Sequence, residues 1–451
     1  MDGTIMIKVV TTLLEGGKAV TSEESLSFSP DAEGVEKEVI NLYPDVEYQE
    51  FFGFGGALTE SAGYVFSYMD QDAQDEILEA YYGKTGIGYR FGRTHLDSCD
   101  FSLGNYSAVT DAEDAELNTF TLERDLRYII PLIKRVNAAA GEAVPLMLTP
   151  WSPPAFMKTN GDKNNGGSLK KEFAGLWARY ICRYICEYRA QGINVTMLTP
   201  QNEPKALQTW DSCVYTAEEE REFIREYLAP ELKNHGLSDV GIFIWDHNKE
   251  RAYDRACEVI SDGEMDSLVS GVALHWYSGD HFEALEMIKK RFPDKRLLFS
   301  EACVEYLVHT GGTELSNARM YAHEIIGDVN AGLDTFFDWN IILDERGGPN
   351  HVNNFCDAPI LCDMRTKTFR KNLSYHYIGH FSRYIEPGAV RIGFSRFTGG
   401  LEMTALKNPS GSLVAVVMNP SDREVSYYLR LNGEICRITS AGDSIMTILI
   451  D

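Results

Sequence analysis

The sequence predicts an α/β fold: a (β/α)8 barrel with an appended β-sandwich formed by the two ends of the chain. Three observations carry this. Between about Glu50 and Phe381, short apolar runs rich in β-branched or aromatic residues alternate with longer amphipathic stretches of helical period, the mark of successive βαβ units. Eight such runs occur, the number that closes a barrel. Outside this region apolar and polar residues alternate with period two, as in half-buried strands.

In chain order the strand candidates are Phe51–Ala57, Gly88–Leu96, Ala143–Pro150, Ile193–Pro200, Val240–Asp246, Gly271–Trp276, Arg296–Glu301 and Asp334–Asn340. Between them, Leu122–Ala139, Leu169–Arg189, Ala217–His235, Ala252–Ser261 and Ser316–Ala331 carry apolar residues at three- and four-residue steps and are predicted helices. Gly53, Gly55 and Gly56 lack the order of a phosphate-binding loop and read as a glycine-rich bend closing the first strand. The sandwich strands are expected in Thr4–Thr12 and Val390–Ile450. Ser412–Val417 and Val425–Leu431 alternate most clearly, with turn signals at Asn408-Pro409 and Asn432-Gly433. The expected division is residues 1–48 for the amino-terminal sandwich strands, 49–383 for the barrel and 384–451 for the rest of the sandwich.

Composition narrows the function. With 67 acidic against 42 basic residues the formal net charge is -25, a field that repels nucleic acid and anionic membrane surfaces. Met1–Val20 carries Asp2, Lys8, Glu15 and Lys18 and no unbroken apolar core, so neither a signal peptide nor membrane insertion is expected, and the predicted location is cytoplasmic. No lipid-binding segment stands out. The nine cysteines are odd in number and lack zinc-type spacing, which fits a reduced compartment. No cofactor and no metal is expected; Asp246 and His247 read as polar contacts on a rim.

In a barrel of this kind the active site forms at the carboxyl ends of the strands. Here those ends are Arg93, His95 and Asp100-Phe101; Thr149-Pro150-Trp151; Gln201-Asn202-Glu203-Pro204; Asp246-His247; His275-Trp276-Tyr277; Ser300-Glu301; and Asp338-Trp339-Asn340. Helix caps account for single Asp, Ser or Asn residues at such places. They do not call for Glu or for clustered aromatics, and the joint pattern fits a carbohydrate: aromatic faces stack on sugar C–H faces while polar side chains bind hydroxyls. Trp151, Trp276 and Trp339 are candidate walls. Glu203 and Glu301 end strands four and seven, which face each other across an eight-stranded barrel, and form the expected catalytic pair. A retaining mechanism requires their carboxyl groups about 5–5.5 Å apart, against roughly 6.5–9.5 Å for inversion. Asn202 would reach the sugar 2-hydroxyl, and Arg93 and Tyr277 are the expected donors to Glu301. Asp97 and Asp338 are candidate buried supports for Arg93 or for the strand-eight loop.

These residues resemble glycoside hydrolase family 30, the glucosylceramidase family of (β/α)8 TIM-barrel retaining hydrolases. The resemblance rests on Gly53-Phe54-Gly55-Gly56-Ala57, Ser98-Cys99-Asp100-Phe101-Ser102, Pro150-Trp151-Ser152, Lys158-Thr159-Asn160-Gly161, Asn202-Glu203-Pro204, His275-Trp276-Tyr277, Ser300-Glu301-Ala302-Cys303, Asp338-Trp339-Asn340 and Gly347-Gly348-Pro349-Asn350. It implies Glu203 as acid/base and Glu301 as nucleophile. It also implies Asp100, Trp151, Asn202, Trp339 and Asn354 as sugar-binding residues, with Arg93, His275, Trp276 and Tyr277 in or just behind the same site, and Phe101 next to Asp100 is likewise expected to bind the substrate. The loops at Thr94-His95-Leu96 and Lys205–Cys213 are similar to bacterial members rather than to the animal lysosomal enzyme. The function expected is an exo-acting β-glucosidase for small β-glucosides or short oligosaccharides. An endo-β-1,6-glucanase, a β-xylosidase and a β-fucosidase are the alternatives, and a catalytically silent carbohydrate-binding protein is the non-enzymatic one.

Overall fold

The computed structural model describes residues 6–451, so Thr4 and Ile5 of the first predicted strand lie outside the described residues. Eight parallel strands close into a barrel: Gly53–Ala57, Phe91–Leu96, Leu146–Pro150, Val195–Leu198, Gly241–Asn248, Val269–His275, Arg296–Glu301 and Thr335–Asp338. Every expected strand is present, with ends shifted by up to three residues. The barrel interior is filled by Met147, Met197, Phe243, Ala273, Leu298 and Phe337, a packed core in the manner of this fold.

The glycines form the first strand itself. A Cβ on Gly55 would lie 2.5 Å from the Phe91 carbonyl oxygen on the next strand, so close approach of two backbones requires glycine there. All five predicted helices form. Ala217–Glu222 and Ala229–Asn234 are joined by a π-helical segment, Phe223–Leu228, and Thr216 with Glu219 makes a capping box at its start. Helices Glu60–Tyr68, Gln71–Tyr82, Phe282–Arg291 and Leu373–Ser382 were not expected. Glu60–Tyr68 and Leu373–Ser382 are buried on almost every face, which erases the amphipathic period that marks a helix in sequence.

The two chain ends share one ten-stranded sheet. Met6–Glu15 pairs with Ser444–Ile450, Ile7 opposite Ile450, and Val39–Phe51 pairs with Ala389–Phe397. Ile7, Val9, Ile40, Leu42, Leu429 and Ile448 from distant parts of that sheet share one apolar core, so the sheet folds over into a β-sandwich separate from the barrel. Lys18–Ser27 is exposed along nearly its whole length and has no apolar face to betray it. No helix among the described residues is long and apolar enough to cross a membrane.

Helix Leu373–Ser382 lies between barrel and sandwich and fixes them through His380. Its Nε2 and Nδ1 each stand 2.8 Å from a hydroxyl, of Thr12 and Thr447 respectively. Thr447 Oγ1 gives its proton to the His380 carbonyl, so it accepts from Nδ1–H, and Nε2 accepts from Thr12: the imidazole is neutral. Burial, reinforced by His376 and Arg383, pushes its pKa down to about 3. Above the unfolded value near 6.5 both states are neutral; below it the unfolded chain takes up a proton that the native chain refuses until about pH 3. Stability therefore falls with decreasing pH through this window by about 1.4 kcal/mol per pH unit from this group. Urea unfolding of His380→Asn should give a lower stability at pH 7 and a shallower decline on acidification; an unchanged slope contradicts the assignment.

Candidate active site

Strand alternation decides which side chains enter the mouth of the barrel. On the sixth strand Ala273 faces inward and Val272 and Leu274 outward, so His275 points in and Trp276 out. Trp276 is buried against Phe299 and Tyr321, with Nε1 donating to the Cys303 carbonyl. The expectation that Trp276 walls the sugar site is corrected on this ground: it belongs to the layer between barrel and helices.

Asp246, at the end of the fifth strand, is the hub of the inward residues rather than a rim contact. It accepts from Arg93 Nη2 at 3.0 and 3.2 Å, Thr199 Oγ1 at 2.8 Å and Ser300 Oγ at 2.5 Å, and His275 Nε2 lies 3.0 Å from Oδ1. Burial alone would raise its pKa; Arg93, His275 and Ser300 outweigh burial and hold the carboxyl well below the usual range. The fully buried Arg93 spreads its fork further, with Nη1 donating to Glu301 Oε2 at 2.7 Å and Nη2 to Asn202 Oδ1 at 2.9 Å. That bond turns the Asn202 amide NH2 toward the cleft.

Glu301 receives a second donor, Tyr277 Oη, 2.9 Å from Oε1, as expected from the sequence. Glu203 has a different setting. Its Oε1 lies 3.1 Å from His275 Nδ1 and 3.7 Å from His247 Nδ1, and its backbone holds φ +46°, a conformation that non-glycine residues adopt at a cost and that recurs at functional sites. The Glu203 N–H donates to the Asp246 carbonyl at 2.9 Å, which ties the fourth strand's end to the fifth. Burial would raise the Glu203 pKa, but His275 and His247 pull it below its ordinary value. Burial would likewise lower that of His275, but Glu301, Asp246 and Glu203 push it up to about 9.

Glu203 and Glu301 line one cavity of about 200 Å³ with Asp100, Trp151, Asn202, Tyr277, Trp339 and Asn354. Trp151 and Trp339 stack with centroids 5.2 Å apart and planes at 22°, and Arg93 Cζ lies 5.0 and 5.2 Å from their rings, a cation–π contact that locks both walls. Asp100 takes a 3.4 Å contact from Asn354 Nδ2; burial, then Glu301, raises its carboxyl well above the ordinary value. Phe101 does not reach the cavity and packs edge-on to Trp339 at 6.1 Å. His275 and Arg93 stand behind the lining. Asp97 and Asp338 bond to Tyr180 and Tyr321 and do not support Arg93.

The cavity also contains Gln208, Trp210, His247, Asn248, Cys303 and Glu305. Trp210 sits in the loop after Glu203, where an aromatic residue was a readable signal. Glu305 lies in an irregular segment with no pattern of its own; burial, then Glu203 and Glu301, push its pKa up to about 6. A small cleft lined by carboxyl groups, amides and stacked indoles has the chemistry of a sugar site.

The comparisons agree with that chemistry. Residues 51–385 match the glycosyl hydrolase family 30 TIM-barrel domain, and residues 388–448 the glycosyl hydrolase family 30 beta sandwich domain. The lysosomal acid glucosylceramidase of Mus musculus is 33% identical over 405 residues, 86% of this chain and 78% of that protein. Among solved structures, SrfJ from Salmonella typhimurium superposes with a TM-score of 0.94 at 37% identity, covering 98% of this chain and 99% of that one. The endo-beta1,6-glucanase BT3312 gives 0.88 at 26% identity, with 98% of both chains covered. The match spans barrel and sandwich together, and the chain belongs to glycosyl hydrolase family 30.

Proposed function

We propose that the protein is a retaining exo-β-glucosidase in which Glu301 is the nucleophile and Glu203 the acid/base. The observation that carries this reading is the pairing of the two carboxyl groups in one cavity with opposite partners: Arg93 and Tyr277 on Glu301, histidines on Glu203. Glu301 attacks the anomeric carbon with its two oxygens held by those donors, while Glu203 delivers a proton to the leaving oxygen. His275 Nδ1, 3.1 Å away, keeps that proton within one hydrogen bond of Glu203. Once Glu301 is esterified, Glu203 takes a proton from water and the ester is hydrolysed with net retention. Asn202 and Asp100 bind hydroxyls, and Trp151 and Trp339 offer the apolar face.

A volume of about 200 Å³ is below that of pockets for drug-sized ligands, which favours one terminal sugar over an internal stretch of polymer. Leu207, Leu307 and Val308, in the loops that also carry Gln208, Trp210 and Glu305, are 72%, 74% and 66% exposed. Apolar side chains held in water beside a cleft favour an apolar leaving group. The endo-β-1,6-glucanase reading draws on the likeness to BT3312, and the β-xylosidase and β-fucosidase readings on the shared family pattern.

Rates on aryl β-glucoside, β-xyloside and β-fucoside and on β-1,6-glucan should rank the glucoside first; fastest cleavage of the glucan would sink the exo reading. Dodecyl β-glucoside should outcompete methyl β-glucoside. The double variant Leu207→Ser/Leu307→Ser should raise KM about tenfold or more for the dodecyl compound alone, since one buried leucine contributes about 1.5–3 kcal/mol. An equal change for both substrates would remove the apolar-aglycone reading.

A further inference from the structure

The ends of the fourth, fifth and sixth barrel strands bring three metal-ligating atoms to one wall of the cleft. Glu203 Oε1 lies 3.1 Å from His275 Nδ1 and 3.7 Å from His247 Nδ1, and all three atoms fall within 4.8 Å of one another. Tetrahedral zinc with bonds of about 2.0–2.1 Å holds neighbouring ligand atoms about 3.4 Å apart. Small side-chain adjustments therefore suffice to enclose an ion. His275 and His247 are too far apart in sequence for metal spacing to show, and only the adjacency of their strands unites them.

The surroundings are those of an oriented ligand set. His275 presents Nε2 to Asp246 at 3.0 Å, and Asp246 is itself fixed by Arg93, Ser300 and Thr199. A carboxylate behind an imidazole sets the tautomer and aims the other nitrogen at the ion, here Nδ1 toward Glu203. His247 packs against Trp245 with ring centroids 4.9 Å apart, and its Nδ1 is buried without a hydrogen-bond partner, which leaves a polar atom in need of one. Glu203 and His247 both line the cleft, from which an ion can enter. Two imidazoles and one carboxylate suit zinc or copper rather than magnesium or calcium, which prefer oxygen donors. Among the described residues the other His-containing acidic cluster, Asp280, His323 and Glu324, is already committed: His323 pairs with Asp280 and Glu402, and Glu324 with Lys249.

We propose that Glu203, His247 and His275 form a binding site for a divalent transition metal of the zinc or copper class, and that the bound ion switches hydrolysis off by occupying the Glu203 carboxylate. Binding displaces to solvent the proton that Glu203 and His275 hold between them. The inhibition rests on the acid/base role proposed for Glu203; the binding does not.

The test titrates Zn2+ into the chelator-stripped full chain by calorimetry, with the visible absorption of Co2+ as a second readout. One site of micromolar or tighter affinity is expected, with hydrolysis falling over the same Zn2+ range and returning with EDTA. His247→Ala and His247→Gln, each checked for native circular dichroism, should bind Zn2+ on the order of 100-fold more weakly, and His323→Ala should bind it unchanged. Only millimolar binding, or tight binding lost in His323→Ala and kept in both His247 variants, overturns the proposal. Tight His247-dependent binding to a chain that cleaves no glycoside would support the metal site and sink the glycosidase reading.

Discussion

Replacing Glu301 by glycine is expected to lower hydrolysis of an aryl β-glucoside by on the order of 10⁴-fold, the scale seen when one member of a catalytic set is removed. Azide should then restore turnover and release the α-glucosyl azide. Glycine leaves a hole where the carboxylate stood, and a small anion in that hole attacks the anomeric carbon from the same face. Glu203 remains to protonate the leaving oxygen, but no ester forms, so the product carries a single inversion. Glu203→Ala should give the complementary result: the ester still forms with a good leaving group, and azide attacks it from the opposite face to yield the β-azide. Full activity in either variant would overturn the assignment of roles. The anomeric configuration of each azide, read by NMR, distinguishes the two residues without reference to rate.

Arg93→Met is expected to be the most damaging single change to stability. Arg93 is fully buried and donates to Glu301, Asn202 and Asp246, and its guanidinium lies over Trp151 and Trp339. Methionine fills much of the volume but removes the guanidinium from both buried carboxyls, leaving Asp246 with His275 and Glu301 with the Tyr277 hydroxyl. Breaking a buried pair in this way costs about 3–5 kcal/mol, and two carboxyls lose a partner here. The chain should unfold at a markedly lower urea concentration and lose activity. Arg93→Lys separates the two effects. An ammonium restores the charge but not the planar fork, so it cannot hold Glu301, Asn202 and Asp246 at once. Stability should recover in large part, while kcat stays about 10²-fold low because a misplacement of about 1 Å is costly at the reacting centre. Wild-type kcat in Arg93→Lys would mean that the fork has no part in positioning Glu301.

The sequence made the barrel legible because its strands are buried on both sides and read as short apolar runs that stop at polar residues. The catalytic candidates were legible for the same reason: His275 and Glu301 close their strands, Asn202 and Glu203 follow the fourth, and Arg93 lies in the second. Trp276 shows the limit of that signal. Adjacent residues on a strand face opposite ways, and once His275 points inward its neighbour cannot. Asp246 was seen in sequence but underrated, since a single Asp at a strand end has the form of a helix cap; only closure of the barrel brings Arg93, His275, Ser300 and Thr199 around it. Glu305 and Gln208 were silent because the loops that carry them have no period, and Asn248 because it extends the fifth strand two residues past the expected end at Asp246. Helix Leu373–Ser382 was silent because barrel and sandwich cover both its faces, so polar residues such as Ser374 and His380 are buried with the apolar ones and no polar face marks its period.

The central claim, a covalent sugar ester on Glu301, is tested most directly by incubation with a 2-deoxy-2-fluoro-β-glucoside bearing an activated leaving group, followed by mass spectrometry of the intact chain and its peptides. The fluorine slows both steps by destabilising the oxocarbenium-like transition state, and the activated leaving group lets the first step run ahead of the second. One fluoroglucosyl group per chain, on the peptide containing Ser300-Glu301-Ala302, is the predicted result. A chain that turns over aryl β-glucosides yet accumulates no adduct and releases the α-anomer first, or one labelled at another carboxylate, would contradict it.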